Sequence, residues 1–246
     1  MTYHGYGTQQ VVEELQKLYP NVKVLRMDND TTSGKEGHLK ITEEFAKGDV
    51  DILVGTQMIA KGHDFPNVTL VGVLNADQSL YFDDYRSNER TFQLITQVAG
   101  RSGRGNKEGK VILQTYNSQN LILRYAVEGK YTDFFENEIN LRQATLYPPY
   151  TIILRVLISS EKKENAIEAL KNVYEKLEKI YLEHREEYVF FQKMIAPVKK
   201  MHNKWRYQVL MRILDKNLLV QIYSVVASCK SDKANIYIEE NPSSLI

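Results

Sequence analysis

The sequence predicts two domains in a chain of 246 residues: an alternating α/β domain with a parallel sheet and flanking helices, followed by a smaller α+β domain. Three observations carry this prediction. Helical and extended apolar periodicities alternate in the first half of the chain, which is typical of a parallel sheet whose strands are joined by helices. The segment Tyr147-Pro148-Pro149-Tyr150 then interrupts the pattern. Beyond it the periodicities follow the order βαββαβ, which is the ferredoxin-like arrangement.

The elements of the first domain are predicted from the spacing of apolar residues. Apolar residues at every third or fourth position mark helices, and short apolar runs bounded by turn residues mark strands. We expect a fully buried strand at Val68–Leu74, which is almost entirely apolar. In chain order, the other predicted elements are a helix at Gln9–Leu18, a strand at Val22–Met27, a helix around His38–Ala46, a strand at Ile52–Gly55, a helix at Tyr85–Val98 and a strand at Lys110–Gln114.

A helical connector and the second domain follow. The connector covers Leu121–Ala144 with an interruption at Gly129, and it ends at the Pro-Pro pair because proline lacks a backbone donor and restricts the residue before it. We therefore place the domains at residues 1–118, 119–150 and 151–246. The predicted elements of the second domain are a strand at Thr151–Ser159, a helix at Glu161–Arg185, strands at Tyr188–Ala196 and Trp205–Leu214, a helix at Asp215–Cys229 and a strand at Asn235–Glu239.

Composition excludes several classes of protein. Hydrophobic residues make up 43% of the chain and charged residues 26%, which is typical of globular proteins and excludes a disordered tail or a disulfide-stapled miniprotein. The most apolar run, Leu218–Ala227, is broken by Gln221, so we expect no membrane span. The start of the chain lacks the pattern of a signal peptide and Cys229 is the only cysteine, so we expect a cytoplasmic protein.

The net charge of +1 hides an asymmetry between the two halves of the chain. Residues 1–150 carry 16 Lys and Arg against 19 Asp and Glu, while residues 151–246 carry 16 against 12. Six basic residues and no carboxylate fall within Lys193–Leu214, together with Trp205 and Tyr207. Such a stretch is suited to phosphate groups, and its aromatic rings to bases that stack on them. The basic residues that we expect to contact DNA are Lys199, Lys200, Lys204 and Arg206.

A glycine-rich loop with two arginines follows the predicted helix at Tyr85–Val98. It reads Gly100-Arg101-Ser102-Gly103-Arg104-Gly105. Glycine lets a backbone approach a ligand closely, and arginine offers planar, permanently charged forks that fit phosphate oxygens. Two such forks three residues apart suit a polyphosphate. The alternative is an ordinary basic surface turn.

A second polar segment lies upstream, within Ile52–Pro66 and between two predicted strands. Together with the glycine-rich loop it resembles motifs V and VI of superfamily two helicases. The resemblance implies a RecA-like second helicase lobe, in which Thr56, Gln57 and Lys61 meet the backbone of the nucleic acid. It assigns Arg101 and Arg104 to catalysis at the γ-phosphate of ATP, and it places near the nucleotide Gly62, Asp64, Gln97, Gly100 and Gly103.

Five motifs in order extend this resemblance to the family of primosomal replication-restart helicases, over nearly the whole chain. The resemblance implies that the chain is the C-terminal part of such a protein. The whole protein would be an ATP-dependent 3′–5′ DNA helicase that acts in replication restart and primosome assembly at stalled forks. The implied partners are forked or single-stranded DNA, other primosome proteins and single-strand-binding protein. The chain departs from the family at Asn241, where an aspartate usually precedes the proline. The motifs are Gly7-Thr8-Gln9, Arg26–Thr32, Gly55-Thr56-Gln57-Met58 with Lys61-Gly62-His63, Gln97–Arg104 and Tyr147-Pro148-Pro149.

Several parts of a complete enzyme of this family are absent from the sequence. Neither a Gly-x-x-x-x-Gly-Lys-Ser/Thr motif nor an Asp-Glu dipeptide occurs, so we expect the first ATPase lobe, with most ligands of ATP and Mg²⁺, to lie outside this chain. The zinc-binding cysteines of the family are also absent, since Cys229 is alone, and the five histidines lack ligand spacing, so no metal site is predicted. We expect a piece of a larger enzyme that does not hydrolyse ATP by itself.

Other interpretations stay open. The chain is alternatively a non-catalytic module that binds DNA or proteins: arginines of the glycine-rich loop that converge on a cleft would favour the helicase, and their burial in salt bridges would favour the module. Thr56 is alternatively the cap of a short helix at Gln57–Ala60. Alternation along the basic stretch allows Trp205 and Tyr207 to face the core while Arg206 faces out. A dinucleotide enzyme is the weakest option, because no Gly-x-Gly-x-x-Gly follows the first strand.

Overall fold

A computed structural model of the chain describes residues 7–28, 35–60, 65, 67–100 and 109–243, with only the backbone of residues 35, 36, 38, 58 and 60. The chain divides into two compact units. The first unit comprises Met1–Tyr81 and Asn88–Phe134, and the second comprises Phe82–Ser87 and Phe135–Ile246. Within the described residues, none of the helices is both long enough and apolar enough to cross a membrane.

The first unit alternates helices and strands, as the sequence predicts. Its last helix, α5, continues into the second unit, and α3 begins at the last residue of the second unit's inserted segment. Two 3₁₀ helices follow strands at Gln57–Ala60 and Gln78–Tyr81. The other elements are α1 (Thr8–Leu18), β1 (Val24–Met27), α2 (Lys35–Ala46), β2 (Ile52–Gly55), β3 (Leu70–Val73), α3 (Ser87–Ala99), β4 (Lys110–Leu113), α4 (Leu121–Val127) and α5 (Tyr131–Ala144).

The strands of the first unit pair in parallel, which confirms the predicted parallel arrangement. Over the described residues they form two two-stranded sheets, β1 with β2 and β3 with β4. The prediction of a fully buried strand at Val68–Leu74 is wrong. Side chains on β3 alternate between exposed and half-buried, and Leu70 is 58% exposed. The reason is that one face of the β3–β4 pair packs on the core while the other face, with Leu70 and Ile112, is open to solvent.

The core of the first unit lies between the β3–β4 pair and α3, α4 and α5. Phe92 of α3 stacks on Phe134 of α5, with ring centroids 4.1 Å apart. Ile95 and Leu123 are buried beside them. Gly129, at a positive φ of 66°, separates α4 from α5 and accounts for the predicted interruption, because glycine adopts this conformation without a steric penalty.

The second unit has the predicted element order βαββαβ. Its strands form one antiparallel sheet in the spatial order β6-β7-β5-β8, and α6 and α7 pack on one face of it. The second strand of this unit was predicted to end at Ala196, whereas the observed strand, β6, continues to Met201. The elements are β5 (Ile152–Ser160), α6 (Lys163–Glu183), β6 (Tyr188–Met201), β7 (Lys204–Ile213), α7 (Leu218–Ser228) and β8 (Asn235–Glu240).

The core of the second unit forms where apolar side chains of the sheet, spaced every two residues, pack against apolar side chains of the helices, spaced every 3.6 residues. Alternate residues of β5, from Ile152 to Ile158, face the helices and are buried. On α6, Leu170 and Leu177 are buried in this core, and Ile167 and Tyr174 pack against it. Burial of such side chains contributes roughly 1.5–3 kcal/mol each before entropic costs. The packed core therefore fixes the positions of the residues at the edges and turns of the sheet.

Candidate nucleotide and nucleic-acid sites

Two of the sequence motifs meet at the carboxyl end of β1. The Asp28 carboxylate is buried and accepts a hydrogen bond from the hydroxyl of Thr8, the first residue of α1. Arg26 lies on the same strand, with its Nε 2.7 Å from Asp28 Oδ2. A buried carboxylate is tolerated when it is paired and hydrogen-bonded in this way. The motif residues Gly7-Thr8 and Arg26–Asp28 thus fix the start of α1 on the end of β1.

The carboxyl end of β2 carries the predicted nucleic-acid contacts. Gly55 ends the strand opposite Met27, and both Thr56 and Gln57 are exposed. The 3₁₀ helix at Gln57–Ala60 begins here, and Ile59 N donates to the Thr56 carbonyl oxygen at 3.2 Å. The short helix that Thr56 was alternatively expected to cap therefore exists. The hydrogen bond that joins Thr56 to this helix is accepted by its backbone carbonyl oxygen. Thr56 is an exposed residue, as a phosphate contact would require.

Gly55 is the residue that allows β2 to end so close to β1. A Cβ atom at this position would lie 2.3 Å from the Met27 carbonyl oxygen and 2.8 Å from Ile59 Cγ2. Side chains larger than hydrogen are excluded at such distances. The glycine of the Gly55-Thr56-Gln57 motif is therefore required by packing, and its neighbour Thr56 is held at the strand end as a result.

A buried acid that the sequence reasoning missed lies after β3. The Asp77 carboxylate is almost fully buried and accepts hydrogen bonds from Thr115 Oγ1 and Tyr116 N, each at 2.7 Å. The donors follow β4, so Asp77 joins the segments that leave the carboxyl ends of both strands. A second buried bond, from Thr91 Oγ1 of α3 to Ser79 Oγ at 2.8 Å, attaches α3 to the same segment. The only sequence signal was an acid three residues after the predicted strand Val68–Leu74.

The end of α3 carries the start of the glycine-rich loop. Gln97 is half-buried in the last turn, and Gly100 N donates to the Thr96 carbonyl oxygen at 3.0 Å. Gly100 itself is exposed, and a Cβ atom there would meet only backbone oxygens at 3.5 Å or more. The rest of the predicted nucleotide and catalytic set lies outside the described residues, together with one predicted DNA contact: Gly62, Asp64, Arg101, Gly103, Arg104 and Lys61.

The predicted basic stretch is divided between two faces of the second unit's sheet. Along β7, Tyr207 is buried in the core and Trp205 packs against it, so the core-facing interpretation of these rings is confirmed. Lys204 and Arg206 alternate with them and lie on the opposite face. There the Arg206 guanidinium donates to Met201 Sδ at 3.4 Å.

The other two predicted DNA contacts lie beside Trp205. Lys199 Nζ and Lys200 Nζ are each 5.5 Å from the centroid of its ring system. The structure therefore brings together Lys199, Lys200 and Trp205, and it separates them from Lys204 and Arg206.

The described residues contain no group of three or more His, Cys, Asp or Glu side chains that could hold a metal ion. Cys229 is buried, and its thiol donates to the Val225 carbonyl oxygen at 3.2 Å. This cysteine is thus part of the packing of α7.

Comparison with known proteins agrees with the family that the sequence motifs resemble. Residues 6–106 match the family described as the helicase conserved C-terminal domain. The chain is similar to replication restart protein PriA of Bacillus subtilis, with 50% identity over 164 residues that cover 67% of this chain and 20% of the relative. It is also similar to the PriA proteins of Chlamydia trachomatis (35% identity over 248 residues, 98% of this chain and 32% of the relative) and Borreliella burgdorferi (33% over 237 residues, 96% and 35%). The chain thus spans about a fifth to a third of the length of these relatives.

Proposed function

The chain belongs to the family of PriA replication restart proteins and corresponds to their C-terminal helicase region, and on this premise we propose that it acts as part of an ATP-dependent 3′–5′ DNA helicase. The helicase would act in replication restart and primosome assembly at stalled forks. Residues 1–118 would form a RecA-like second lobe, residues 119–150 a connector, and residues 151–246 a ferredoxin-like domain.

The observation that carries this proposal is the position of the family's motifs on the first unit. The segment with Thr56 leaves the carboxyl end of β2, and the glycine-rich loop begins directly at the end of α3. In open α/β sheets, ligands bind at the carboxyl ends of the strands and in the loops that follow them. Exposed Thr56 and Gln57 support a phosphate-binding edge at the carboxyl end of β2.

We assign roles to these motifs as follows. Thr56, Gln57 and Lys61 contact the phosphates of a single strand. Arg101 and Arg104 stabilise the charge that spreads over the γ-phosphate oxygens of ATP during hydrolysis. The remaining nucleotide contacts are Gly62, Asp64, Gln97, Gly100 and Gly103. Since the described residues contain no cluster of three or more His, Cys, Asp or Glu side chains that could hold a metal ion, no step is assigned to the metal in this chain.

The partners follow from the same premise. Forked or single-stranded DNA would contact both units, and the basic residues Lys199, Lys200, Lys204 and Arg206 would provide contacts on the second. The other proposed partners are primosome proteins and single-strand-binding protein. Because DNA and these partners lie in the cytoplasm, we propose the same location for this protein. The isolated chain would bind ATP weakly and would not hydrolyse it, because the lysine and Mg²⁺ ligands of the first lobe are supplied elsewhere.

The arginine assignment is tested by joining this chain to a first helicase lobe of a PriA protein and substituting Arg104→Ala. An arginine finger contributes roughly 10³–10⁵ in rate, so DNA-stimulated ATP hydrolysis should fall by about a thousandfold or more while DNA binding is retained. The matched control is Arg124→Ala, which removes a half-exposed arginine of α4 that lies 3.8 Å from Glu128. Unchanged turnover in the Arg104 variant would remove the arginine-finger assignment. Absence of DNA-stimulated hydrolysis in the unsubstituted joined protein would favour a non-catalytic DNA- or protein-binding module.

A further inference from the structure

We infer that the tyrosine of the Tyr147-Pro148-Pro149 motif is a positioning residue for the start of the glycine-rich loop, an inference that rests on the proposed helicase function. Its ring stacks on that of Tyr85, with centroids 5.1 Å apart and planes 8° from parallel. Both rings are half-buried, and both belong to the second unit. Tyr85 lies just before α3, which begins at Ser87, and Gly100 follows the last residue of α3. The stack therefore holds the chain at one end of α3, and the loop starts at the other end.

Three arginines lie against the two rings. The guanidinium carbon of Arg86 lies 4.7 Å, and that of Arg142 5.2 Å, from the centroid of the Tyr85 ring. The guanidinium carbon of Arg212 lies 4.4 Å from the centroid of the Tyr147 ring. Guanidinium groups within about 6 Å of a ring centroid are attracted to the face of the ring. We refer to these two tyrosines and three arginines as the tyrosine–arginine stack.

Each arginine of the stack also donates a hydrogen bond to the backbone. Arg142 donates to the carbonyl oxygen of Pro148 and Arg212 to that of Thr145, each at 3.3 Å, so the turn that follows α5 is held at two points. Arg86 donates to two carbonyl oxygens just after β8, at 2.7 and 3.0 Å. A shift of either tyrosine ring would therefore disturb hydrogen bonds to two other segments of the second unit.

The attachment at Tyr85 is the second of two along α3, and α5 supplies a partner for each. Within the first unit, Phe92 of α3 stacks on Phe134 of α5, as described above. Within the second unit, Arg142, which lies further along α5, contacts Tyr85. A helix that is held at one point tilts about that point, whereas two attachments roughly two turns apart define its direction. The stack therefore fixes the direction of α3.

The length of α3 determines how accurate this attachment must be. The helix has 13 residues and is about 20 Å long at 1.5 Å per residue. A tilt of about 3° would move its last residue by about 1 Å over this length. A misplacement of about 1 Å that originates far from the reacting groups can lower a rate about a hundredfold. Loss of the stacked ring should therefore affect Gln97 in the last turn of α3, Gly100 and the arginines of the loop.

The joined protein of the Arg104 experiment, which carries a first helicase lobe of a PriA protein, tests this inference through turnover. Tyr147→Leu removes the ring, and kcat for DNA-stimulated ATP hydrolysis should fall about tenfold to a hundredfold. KM for ATP should stay within about threefold, because the proposed arginines act on the transition state. Tyr147→Phe keeps the stacked ring and should retain kcat within about twofold. The matched control is Tyr150→Leu, which changes a tyrosine of the same turn that is 37% exposed and outside the stack.

A double-variant cycle distinguishes positioning from a general loss of structure. Since Tyr147 is inferred to act through the loop, Tyr147→Leu should change kcat less than about threefold in the Arg104→Ala background, where the positioned group is gone. A merely structural role would multiply the two losses. Circular dichroism verifies that the variants fold. If Tyr147→Leu does not fold, Arg212→Gln is measured in its place, and kcat should fall at least about threefold because the same ring loses its guanidinium.

A measurement without ATP or DNA separates this inference from the helicase proposal. In the 246-residue chain alone, amides in the first two turns of α3 should exchange hydrogen at least about threefold faster in Tyr147→Leu than in Tyr150→Leu. Equal exchange in these two variants would overturn the inference, whatever the hydrolysis shows. Equal turnover of the two variants, loss of turnover in Tyr147→Phe, or multiplied losses in the cycle would also overturn it. An unsubstituted joined protein that does not hydrolyse ATP would instead contradict the helicase proposal.

Discussion

Single residues fix the positions of the motifs in the first unit, and Gly55 shows how. The closest atom to a Cβ added at this position would be a backbone oxygen, Met27 O at 2.3 Å, which cannot rotate away as a side chain can. Substitution Gly55→Ala must therefore separate β2 from β1 or displace the segment that follows. Since Thr56 is the next residue, the same substitution moves the proposed DNA contact.

We predict that Gly55→Ala destabilises the first unit by about 1–3 kcal/mol, the usual cost of overpacking. Thermal unfolding and hydrogen exchange of β1 and β2 measure this loss. The control is Gly72→Ala on β3, where an added Cβ atom would have no neighbour within 4 Å, so the effect should stay within about 0.5 kcal/mol. Equal effects of the two substitutions would show that close approach is not the reason for glycine at position 55.

Sequence reasoning identified residues better than it identified their partners. Alternation along β7 correctly gave the core-facing interpretation of Trp205 and Tyr207, because a period of two is a local property. The bond between Thr8 and Asp28 joins residues 20 positions apart, and that between Asp77 and Thr115 joins residues 38 apart. No local pattern contains such distances, so the partner of Asp28 was not predicted and Asp77 was missed.

Elements were predictable where the apolar period was unbroken. β2 has the predicted bounds, and α1, α3 and α6 begin and end within two residues of their predicted limits. β6 is longer than predicted because Pro197 suggests a break, whereas the strand accommodates it in the irregular segment between Ile195 and Lys200. That irregular segment is the one that brings Lys199 and Lys200 together. The error in the bounds of β6 and the unpredicted position of Lys199 and Lys200 beside Trp205 therefore have the same cause.

The contact between α6 and β6 contains a packed group of aromatic rings with a measurable titration. Tyr188 meets Tyr181 and Phe191 edge-on, with centroids 5.3 and 5.9 Å away. Burial raises the pKa of Tyr188 to about 12 from its ordinary value of 10.0. The phenol is neutral below pH 10 in both the folded and the unfolded chain, so its contribution to stability is fully present there. Between pH 10 and 12 the unfolded chain ionises first, and this contribution is lost.

We predict that Tyr188→Phe reduces the slope of unfolding free energy against pH between 10 and 12, by at most about 1.4 kcal/mol per pH unit. Denaturant unfolding at a series of pH values measures the slope. Tyr237→Phe is the control, because it removes the same hydroxyl from a side chain that is 46% exposed. A variant at position 188 with the slope of the unmodified chain would show that its hydroxyl does not stay neutral through this range.

At the scale of the whole molecule, two separate cores were predictable and one feature of the chain path was not. The change of pattern at the Pro-Pro pair indicated a second unit with a core of its own. The assignment of Phe82–Ser87 to the second unit has no signal in the sequence. Arg86 explains it in part, since its guanidinium donates to the carbonyl oxygens of Pro242 at 2.7 Å and Asn241 at 3.0 Å. These acceptors lie 156 and 155 residues away in the chain.

Separate cores predict that a cavity in one unit destabilises that unit selectively. Leu154 is fully buried in the core of the second unit, and Ile95 is 1% exposed in the core of the first. Leu154→Ala and Ile95→Ala should each cost about 2–5 kcal/mol, the range for aliphatic truncation in a packed core. Native-state hydrogen exchange resolved by peptide should place the loss of protection in β5, β7 and α6 for the first substitution, and in α3 and α4 for the second. Because the two variants remove similar volumes, each serves as the control for the other. Equal loss of protection across both units in either variant would mean that the chain unfolds as one cooperative body, and the division into two cores would then have no thermodynamic counterpart.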